Sequence, residues 1–311
     1  MKTLSQANKS QILKEITGTL QERTDKVLTE TGLDFTVNKV PLYAYSEYGI
    51  IESDYFGLHN SKTNEIINTV KDSYNVSQNE DVVKLVFQGM RNFGNLSISG
   101  GGSMNGGRKI FLQLGIEGVS KVGDDVIEKF ITVTDSNDCS SGLSVGIGNL
   151  TISCMNEFYK FNRVAKNKFR HSKSLQENML AIPKLIEESL EESMQIIVLY
   201  NSMRKTKVSK RLAHKLVKSL VGISKLESAT ILDNASTRSV NSMNSLYDHI
   251  DKEMSQKGLN LWGLHSGTTS WTTHDKSVPK RENGRIESGM FGSNYKANQK
   301  SLAFAKELIK Y

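Results

Sequence analysis

Basic side chains recur at helical spacing within one fifth of the chain. Residues 160–220 contain fourteen Lys and Arg residues and five Glu residues, whereas the net charge of all 311 residues is +7. Cations on one helix face can neutralise several phosphates together, which gives salt-sensitive binding without reading of base sequence. The pattern predicts a nucleic-acid-binding groove lined by nine cations: Arg163, Lys166, Lys168, Arg170, Lys173, Lys207, Lys210, Arg211 and Lys215.

Aromatic side chains are candidates for stacking on nucleic-acid bases. Tyr159 lies beside the first group of cations, and Trp271 lies in a later segment that holds both tryptophans. Stacking of a base on such a ring contributes ~1–3 kcal/mol. The competing interpretation is an ordinary solvated basic surface, with Phe161 and Phe169 in the hydrophobic core and Trp271 as a plug over it.

A polar turn, Asp135–Ser141, follows a predicted strand and concentrates oxygen ligands. Hard divalent cations prefer such ligands, and Asp135 and Asp138 are the carboxylates available. The alternative is an Asx-type turn that binds its own backbone, and the lack of a third acid nearby favours this turn. A metal-dependent phosphodiesterase, in which Asp135, Asp138, His171 and His274 meet in space, is the second functional hypothesis.

Other motifs for catalysis are absent from the sequence. The six histidines show no zinc-binding spacing. The Gly-rich stretch at residues 94–107 lacks the spacing of a phosphate-binding loop, and a hairpin loop is predicted instead. No nucleotide-hydrolysing loop is present, so we expect action without ATP, with no cofactor and no metal, and we assign no catalytic residue.

The order of predicted elements places a sheet before a run of helices. Short turns separate three predicted strands and indicate antiparallel pairing: residues 109–116, 126–134 and 142–154. Helical periods then cover most of residues 154–257. Helices are also predicted at 61–75 and 80–92, and a loop at 258–294. The predicted fold class is α+β, with an antiparallel β-sheet in the first half packed by helices and a helical second half.

The sequence divides into four segments that could together form one domain. They are an N-terminal helix (1–33), a sheet region with a Gly-rich hairpin (34–156), a basic helical region (157–257), and a Trp/His loop with a C-terminal helix (258–311). The apolar stretches are too short to span a membrane, and two cysteines make no disulfide framework. These features predict a cytoplasmic protein with no membrane partner.

Four short motifs together resemble the phage/plasmid-like proteins of domain-of-unknown-function family 932. TDSNDCSS at 134–141 is similar to a strand-ending "NSHDGSS", and ISCMNEF at 152–158 is similar to "VCxNT". RHS at 170–172 is similar to "RHT", and WGLHSGTTSWTTH at 262–274 to "WGLYNAVTEYVDH". The polar residues that match these motifs are Asp135, Asp138, Asn156, His171, Thr269 and His274.

The chain also departs from these motifs. The glycine of the turn is Cys139, its histidine is Asn137, and the glutamate of the last motif is Ser270. Such losses favour a structural or binding role for the motifs. The resemblance implies a phage- or plasmid-encoded protein in the cytoplasm of a bacterial host, and it supplies no activity. The layout of sheet and basic helices is similar to that of single-strand annealing proteins, which bind DNA as multimers without ATP.

The leading hypothesis is a protein that binds and anneals single-stranded DNA in recombination or replication, independently of ATP. Its expected partners are nucleic acid and further copies of itself, because a homo-oligomer would extend the groove. The alternatives are the metal-dependent nuclease-like enzyme and a structural or assembly protein of a phage.

Overall fold

The chain divides into two compact units. The computed structural model describes residues 17–151, 160–162, 168–223, 235–281 and 283–309. The first unit consists of residues 1–118, 129–148 and 163–192, and the second consists of residues 119–128, 149–162 and 193–311. Each unit therefore draws on three separate stretches of sequence.

Strands dominate the first half of the described chain, and helices dominate the second half. The strands are β1 (Val37–Ser46), β2 (Gly49–Asn60), β3 (Glu65–Lys71), β4 (Leu96–Met104), β5 (Lys109–Val122), β6 (Asp125–Ser136), β7 (Leu143–Thr151), β8 (Lys160–Asn162) and β9 (Lys168–Phe169). The helices are α1 (Leu20–Thr31), α2 (Asn79–Met90), α3 (Leu175–Met179), α4 (Ile182–Lys205), α5 (Lys210–Val221), α6 (Thr237–Lys257), α7 (Leu261–His274), α8 (Gly284–Met290) and α9 (Ser293–Ile309). The predicted α+β class is confirmed.

The strands form two sheets. One has the order β1-β2-β3, and the other has the order β4-β5-β6-β7-β8 with β9 also paired to β7. The pairs β1–β2, β2–β3, β4–β5 and β7–β9 are antiparallel. Short connections favour this arrangement, because a parallel pair would need a long crossover between its strands.

The core of the first unit joins both sheets to helices α1–α3 and the start of α4. Leu58 of β2, Val86 of α2 and Leu114 of β5 are completely buried in it. Apolar residues alternate along β5, whereas they recur every three or four residues in α2, so each element presents one apolar face. Burial of each such side chain contributes about 1.5–3 kcal/mol.

The core of the second unit surrounds α7, whose residues from Leu261 to Thr272 are all buried. The ring of Trp262 packs on that of Tyr200 with 4.7 Å between the centroids. Its Nε1 donates a 2.6 Å hydrogen bond to Oδ2 of Asp125, and Nζ of Lys257 lies 2.9 Å from the same oxygen. Two donors thus compensate the buried charge of Asp125, which would otherwise be costly.

One prediction for the first half is wrong. Residues 61–75 are not helical, because a turn leads into β3, whose β-branched Ile67 and Val70 are buried. Such side chains favour a strand that can pair, here with β2. The Gly-rich stretch does form a hairpin, in which most of the stretch lies within β4 and residues 105–108 are the turn. A Cβ at Gly101 would lie 2.9 Å from Cγ2 of Thr31, so glycine lets β4 approach α1.

Two predictions for the second half are also wrong. Residues 258–294 contain α7 and α8 in place of a loop. The Gly, Ser and Thr residues of α7 lower its helix propensity, yet burial on every side stabilises it. A helix was also predicted from residue 154 onwards. The structure describes residues 160–162 and 168–173 of this stretch, and they contain strands β8 and β9 and no helix. Among the described helices, none is long and apolar enough to cross a membrane.

The packing of α6 on α7 requires glycine at position 267. A Cβ at Gly267 would lie 2.5 Å from Cα of Ile250. We expect Gly267→Ala to lower the free energy of unfolding by about 2 kcal/mol, measured by urea denaturation. Gly289→Ala is the matched control, because its Cβ would meet no atom within 4 Å and should leave stability unchanged or raise it. An unaltered stability of Gly267→Ala would contradict this packing.

Candidate nucleic-acid interface

Polar residues of two motifs meet in one buried network of the first unit. Asp135 lies at the end of β6 and is 1% exposed. Its Oδ1 lies 2.8 Å from Nε2 of His171 and accepts a 2.7 Å hydrogen bond from the amide of Ser136. Its Oδ2 accepts a hydrogen bond from the hydroxyl of Ser77. One carboxylate thus joins three segments that are distant in sequence.

The hydrogen bonds of His171 define its charge. Its Nδ1 lies 2.9 Å from the carbonyl oxygen of Asn75, and its Nε2 faces the carboxylate of Asp135. A carbonyl and a carboxylate only accept, so both ring nitrogens donate and the ring is positively charged. Burial lowers the pKa of His171, but the hydrogen bond and charge of Asp135, together with the Asn75 carbonyl, outweigh burial and raise this pKa above its ordinary value.

Tyr74 covers the ion pair. Its ring stacks on the imidazole of His171 with 4.7 Å between centroids and an interplanar angle of 1°. Burial, and then the charge of Asp135, raises the pKa of Tyr74, so its hydroxyl stays protonated. The side chains of His171 and Asp135 are 4% and 2% exposed. The network is therefore a structural link, because a substrate has no access to the imidazole.

Asp138 forms a local turn. Its Oδ1 accepts a 3.0 Å hydrogen bond from the amide of Ser140, which is the Asx-type pattern. Its Oδ2 lies 3.4 Å from Nζ of Lys109. Within the described ranges, no three His, Cys, Asp or Glu side chains are grouped so that they could hold a metal ion. His274, which the nuclease hypothesis also requires, belongs to the second unit.

The last motif lies on the buried helix α7. Thr269 is 1% exposed, and its Oγ1 donates a 2.9 Å hydrogen bond to the carbonyl of Ser266. Trp271 is 2% exposed within the core of the second unit. Its ring is not available for base stacking, which corrects its assignment as a stacking residue. His274 ends the helix, where burial and then the charge of His249 lower its pKa.

A hydroxyl, an imidazole and a carboxylate form a chain of hydrogen bonds beside His274. Nδ1 of His249 lies 2.9 Å from Oγ of Ser270, and its Nε2 lies 3.0 Å from Oδ2 of Asp275. A nucleophilic triad has an accessible serine and a buried carboxylate. Here Ser270 is 9% exposed, and the Asp275 side chain is 56% exposed. These hydrogen bonds therefore link α6 to α7, and they do not present an accessible nucleophile.

Helix α5 turns its apolar side chains inward and its cations outward. Four cations of the sequence hypothesis are exposed here: Lys207, Lys210, Arg211 and Lys215. Arg204 and Lys205 at the end of α4 are exposed as well, and the run RKTKVSKR at 204–211 is the signal that could have added them. We call these six residues the basic surface. In the described part of the chain, none of them forms an ion pair with a carboxylate.

Two helix N-termini meet beside the basic surface. Residues 206–208 pair with residues 259–261 through backbone hydrogen bonds of 3.1 and 2.9 Å. This contact places the start of α5, at Lys210, next to the start of α7, at Leu261. The first turns of both helices lack acidic residues. Helix N-termini attract anions through their amide groups and dipoles. The first turn of α7 is buried, and its amides at Leu261 and Gly263 bond protein oxygens, so the start of α5 is the one that adds positive potential at the surface.

An aromatic pair next to the basic surface escaped the sequence analysis. His214 follows Lys210 by four residues and shares its helix face. Its ring stacks on that of Tyr247 with 5.9 Å between centroids, and its Nδ1 forms a hydrogen bond with the Tyr247 hydroxyl. Burial raises the pKa of Tyr247. Spacing on α5 could have found His214, whereas no local signal could find a partner 33 residues away.

The other described cations of the prediction belong to the first unit. Lys168, Arg170 and Lys173 are exposed in the first unit, in or after β9 and not on a helix. Lys173 lines an open pocket of about 470 Å³ together with Tyr55 and four polar residues. Four further predicted site residues lie outside the described ranges: Asn156, Tyr159, Arg163 and Lys166.

Comparison with known proteins finds one family. The model of the family described as "Domain of unknown function (DUF932)" matches residues 66–302. No curated protein and no solved structure matches the chain. The matched range includes the Asp135 network and the basic surface.

The raised pKa of His171 links stability to pH. A raised folded-state pKa means that the ion pair contributes fully below the ordinary value of about 6.5 and is lost as pH rises through the folded-state pKa. We therefore expect the stability advantage of wild type over His171→Gln to shrink with rising pH in urea unfolding. In an Asp135→Asn background, His171→Gln should show no such trend, since the carboxylate is gone. A stability advantage of wild type that grows with pH would contradict a positively charged His171.

Cys139 occupies a left-handed backbone position, with φ of 59°, where the family motif has glycine. A Cβ in this conformation costs roughly 1–2 kcal/mol, and the greater freedom of glycine in the unfolded chain offsets ~0.4–1 kcal/mol. We expect Cys139→Gly to raise the free energy of unfolding by about 0.5–1 kcal/mol. Asn105→Gly, at φ of 54°, is the control with a smaller gain, because asparagine tolerates this conformation. A loss of stability in Cys139→Gly would mean that the 3.1 Å contact of Sγ with Nδ2 of Asn68 dominates.

Proposed function

Since the chain belongs to the DUF932 family, whose description names no activity, we propose its function from the basic surface. We propose that it binds single-stranded nucleic acid, with single-stranded DNA as the favoured ligand, and anneals complementary strands without ATP. In this proposal a phage or plasmid encodes it, and it acts in recombination or replication in the cytoplasm of a bacterial host. Association into a homo-oligomer would extend the binding surface.

The observation that carries this proposal is the concentration of exposed cations at paired helix starts. Six Lys and Arg side chains lie within residues 204–215. The first-turn amides of α5 add positive potential at the same place. Cations in the first turn of a helix oppose its dipole, so the sequence favours anion binding here at some cost in helix stability.

The proposed mechanism leaves the bases free to pair. Arg211 can hold a phosphate through two parallel N–H donors, whereas Lys210 and Lys215 act as point charges. Such contacts position a strand but do not read its sequence. A strand that is held by its phosphates and shielded from electrostatic repulsion can meet a complementary strand without energy from a nucleotide.

The aromatic pair supports a preference for single strands. His214 and Tyr247 present stacked rings beside the cations of α5. A base stacked on such a ring contributes ~1–3 kcal/mol, and the bases of a duplex already stack on one another. The preference for single strands is therefore expected to come from stacking, and the affinity from charge.

The salt dependence of binding to labelled oligonucleotides tests the proposal. Arg211→Ala/Lys215→Ala removes two proposed phosphate contacts. For single strands, the slope of log K against log salt is about −0.7 per contact, so this variant should flatten the slope by about 1.4 for all sequences alike. Lys26→Ala/Lys306→Ala removes two exposed charges from α1 and α9 and is the matched control, whose slope should equal that of wild type.

Duplexes of the same sequences complete the experiment. Wild type should bind single strands more tightly than duplexes and should accelerate annealing without added nucleotide. Equal slopes for the two double variants would remove α5 from the interface. No binding to single strands at low salt would overturn the proposal.

A further inference from the structure

A two-stranded ribbon in the first unit exposes apolar side chains on both faces. We call residues 41–55, which run from β1 into β2, the β-arm. Tyr45 lies opposite Ile50 on one face, and Ala44 lies opposite Ile51 on the other. Six large apolar side chains of the β-arm have exposed fractions of 44–92%: Tyr43, Tyr45, Tyr48, Ile50, Ile51 and Tyr55. Tyr43 and Tyr45 share one face with Ile50, and neighbouring exposed apolar side chains of this kind mark an interaction site, whereas scattered exposed residues do not.

The β-arm lacks a third strand. β3 pairs with β2 from Tyr55 to Asn60, so in the described sheet the rest of the arm consists of β1 and β2 alone. An isolated two-stranded ribbon is marginally stable at best in water, and its edges offer unpaired backbone groups to another chain. Lysine, which commonly protects such edges, does not occur between residues 41 and 55. A covering partner would stabilise the ribbon.

The charge of the β-arm is opposite to that of the whole chain. Glu47, Glu52 and Asp54 are exposed on it, and it has no Lys or Arg, while the net charge of the chain is +7. In the described part of the chain these carboxylates form no ion pairs. An acidic ribbon repels nucleic acid, but it is complementary to the basic body of another copy of this protein.

We propose that the β-arm of one copy docks on the basic exterior of a second copy, head to tail. Arm-to-arm pairing would bring six carboxylates into one interface, and like charges oppose it. A head-to-tail contact uses different surfaces on its two partners, so it repeats into a ring or a filament. The exposed side chains of the arm offer on the order of 700 Å², similar to the ~800 Å² that each partner contributes to a stable interface.

Sedimentation velocity of the full chain over a wide range of concentration tests this proposal. The protein is treated with nuclease beforehand, so that association does not depend on bound nucleic acid. Wild type is expected to associate. Tyr45→Thr/Ile50→Thr places two β-branched threonines, which favour strands, at a cross-strand pair but removes apolar surface, and it should weaken association by about tenfold or more. Circular dichroism and thermal unfolding establish that the variant keeps its fold.

Val119→Thr/Leu180→Thr is the matched control. It changes two apolar side chains that are each 70% exposed and lie outside both the arm and the basic surface, and association should stay at the wild-type level. A wild type that is monomeric at every concentration, or a Tyr45→Thr/Ile50→Thr variant that associates like wild type, would overturn the proposal.

A variant with fewer carboxylates on the arm distinguishes head-to-tail docking from arm-to-arm pairing. Glu47→Gln/Glu52→Gln should weaken head-to-tail association, because it removes attraction to the basic body. Stronger association in this variant would reveal arm-to-arm pairing and would overturn the head-to-tail proposal. These measurements contain no nucleic acid, so their outcome is independent of whether the proposed nucleic-acid binding is correct.

Discussion

A carboxylate buried in a low-dielectric interior must be paired, and Asp135 imposes this requirement on the first unit. Its partners come from the loop before α2, from the end of β6 and from the segment before α3. Loss of His171, the charged partner, would leave an uncompensated charge, at a cost of about 3–5 kcal/mol. The positions of these three segments are therefore tied to one another. The motifs at residues 134–141 and 170–172 accordingly supply the two partners of one interaction, Asp135 and His171.

The second unit buries the polar side chains of α7 and exposes the cations of α5. Six Ser, Thr and His side chains of α7 are buried, and neighbours such as Ser301 and Asn298 supply hydrogen bonds to them. α7 thus acts as an internal support, while α5 carries the cations. The backbone contact between residues 206–208 and 259–261 connects the two roles, because it fixes where both helices begin. A surface mounted on fixed helices does not have to become ordered on binding, which lowers the entropic cost of association.

Prediction from the sequence succeeded where an element buries one face, because the spacing of its apolar residues then shows which face is buried. Apolar alternation predicted β5 and β6, and the stripe of α5 predicted both that helix and its exposed cations. The helix α7 has no stripe, because every face of it is buried and periodicity then disappears. The resemblance drew attention to Asp135 and His171, yet their hydrogen bond spans 36 residues and no local spacing encodes it. No pattern in residues 41–55 tells whether either face of a strand there is covered, so the β-arm was not foreseen.

The division of each unit into three stretches has a consequence for synthesis on the ribosome. The first unit cannot complete its core until residue 192 has emerged, because α3 and the start of α4 belong to that core. By then Asp125 at the tip of the β5–β6 hairpin has long been made, whereas Trp262 and Lys257, its partners, have not. Half-made chains therefore expose Val122 and Ile127 of this hairpin, because most of the core that buries them has not been made. Nascent chains that expose apolar surface are prone to aggregate, so the pace of translation through the second half bears on the yield of native protein.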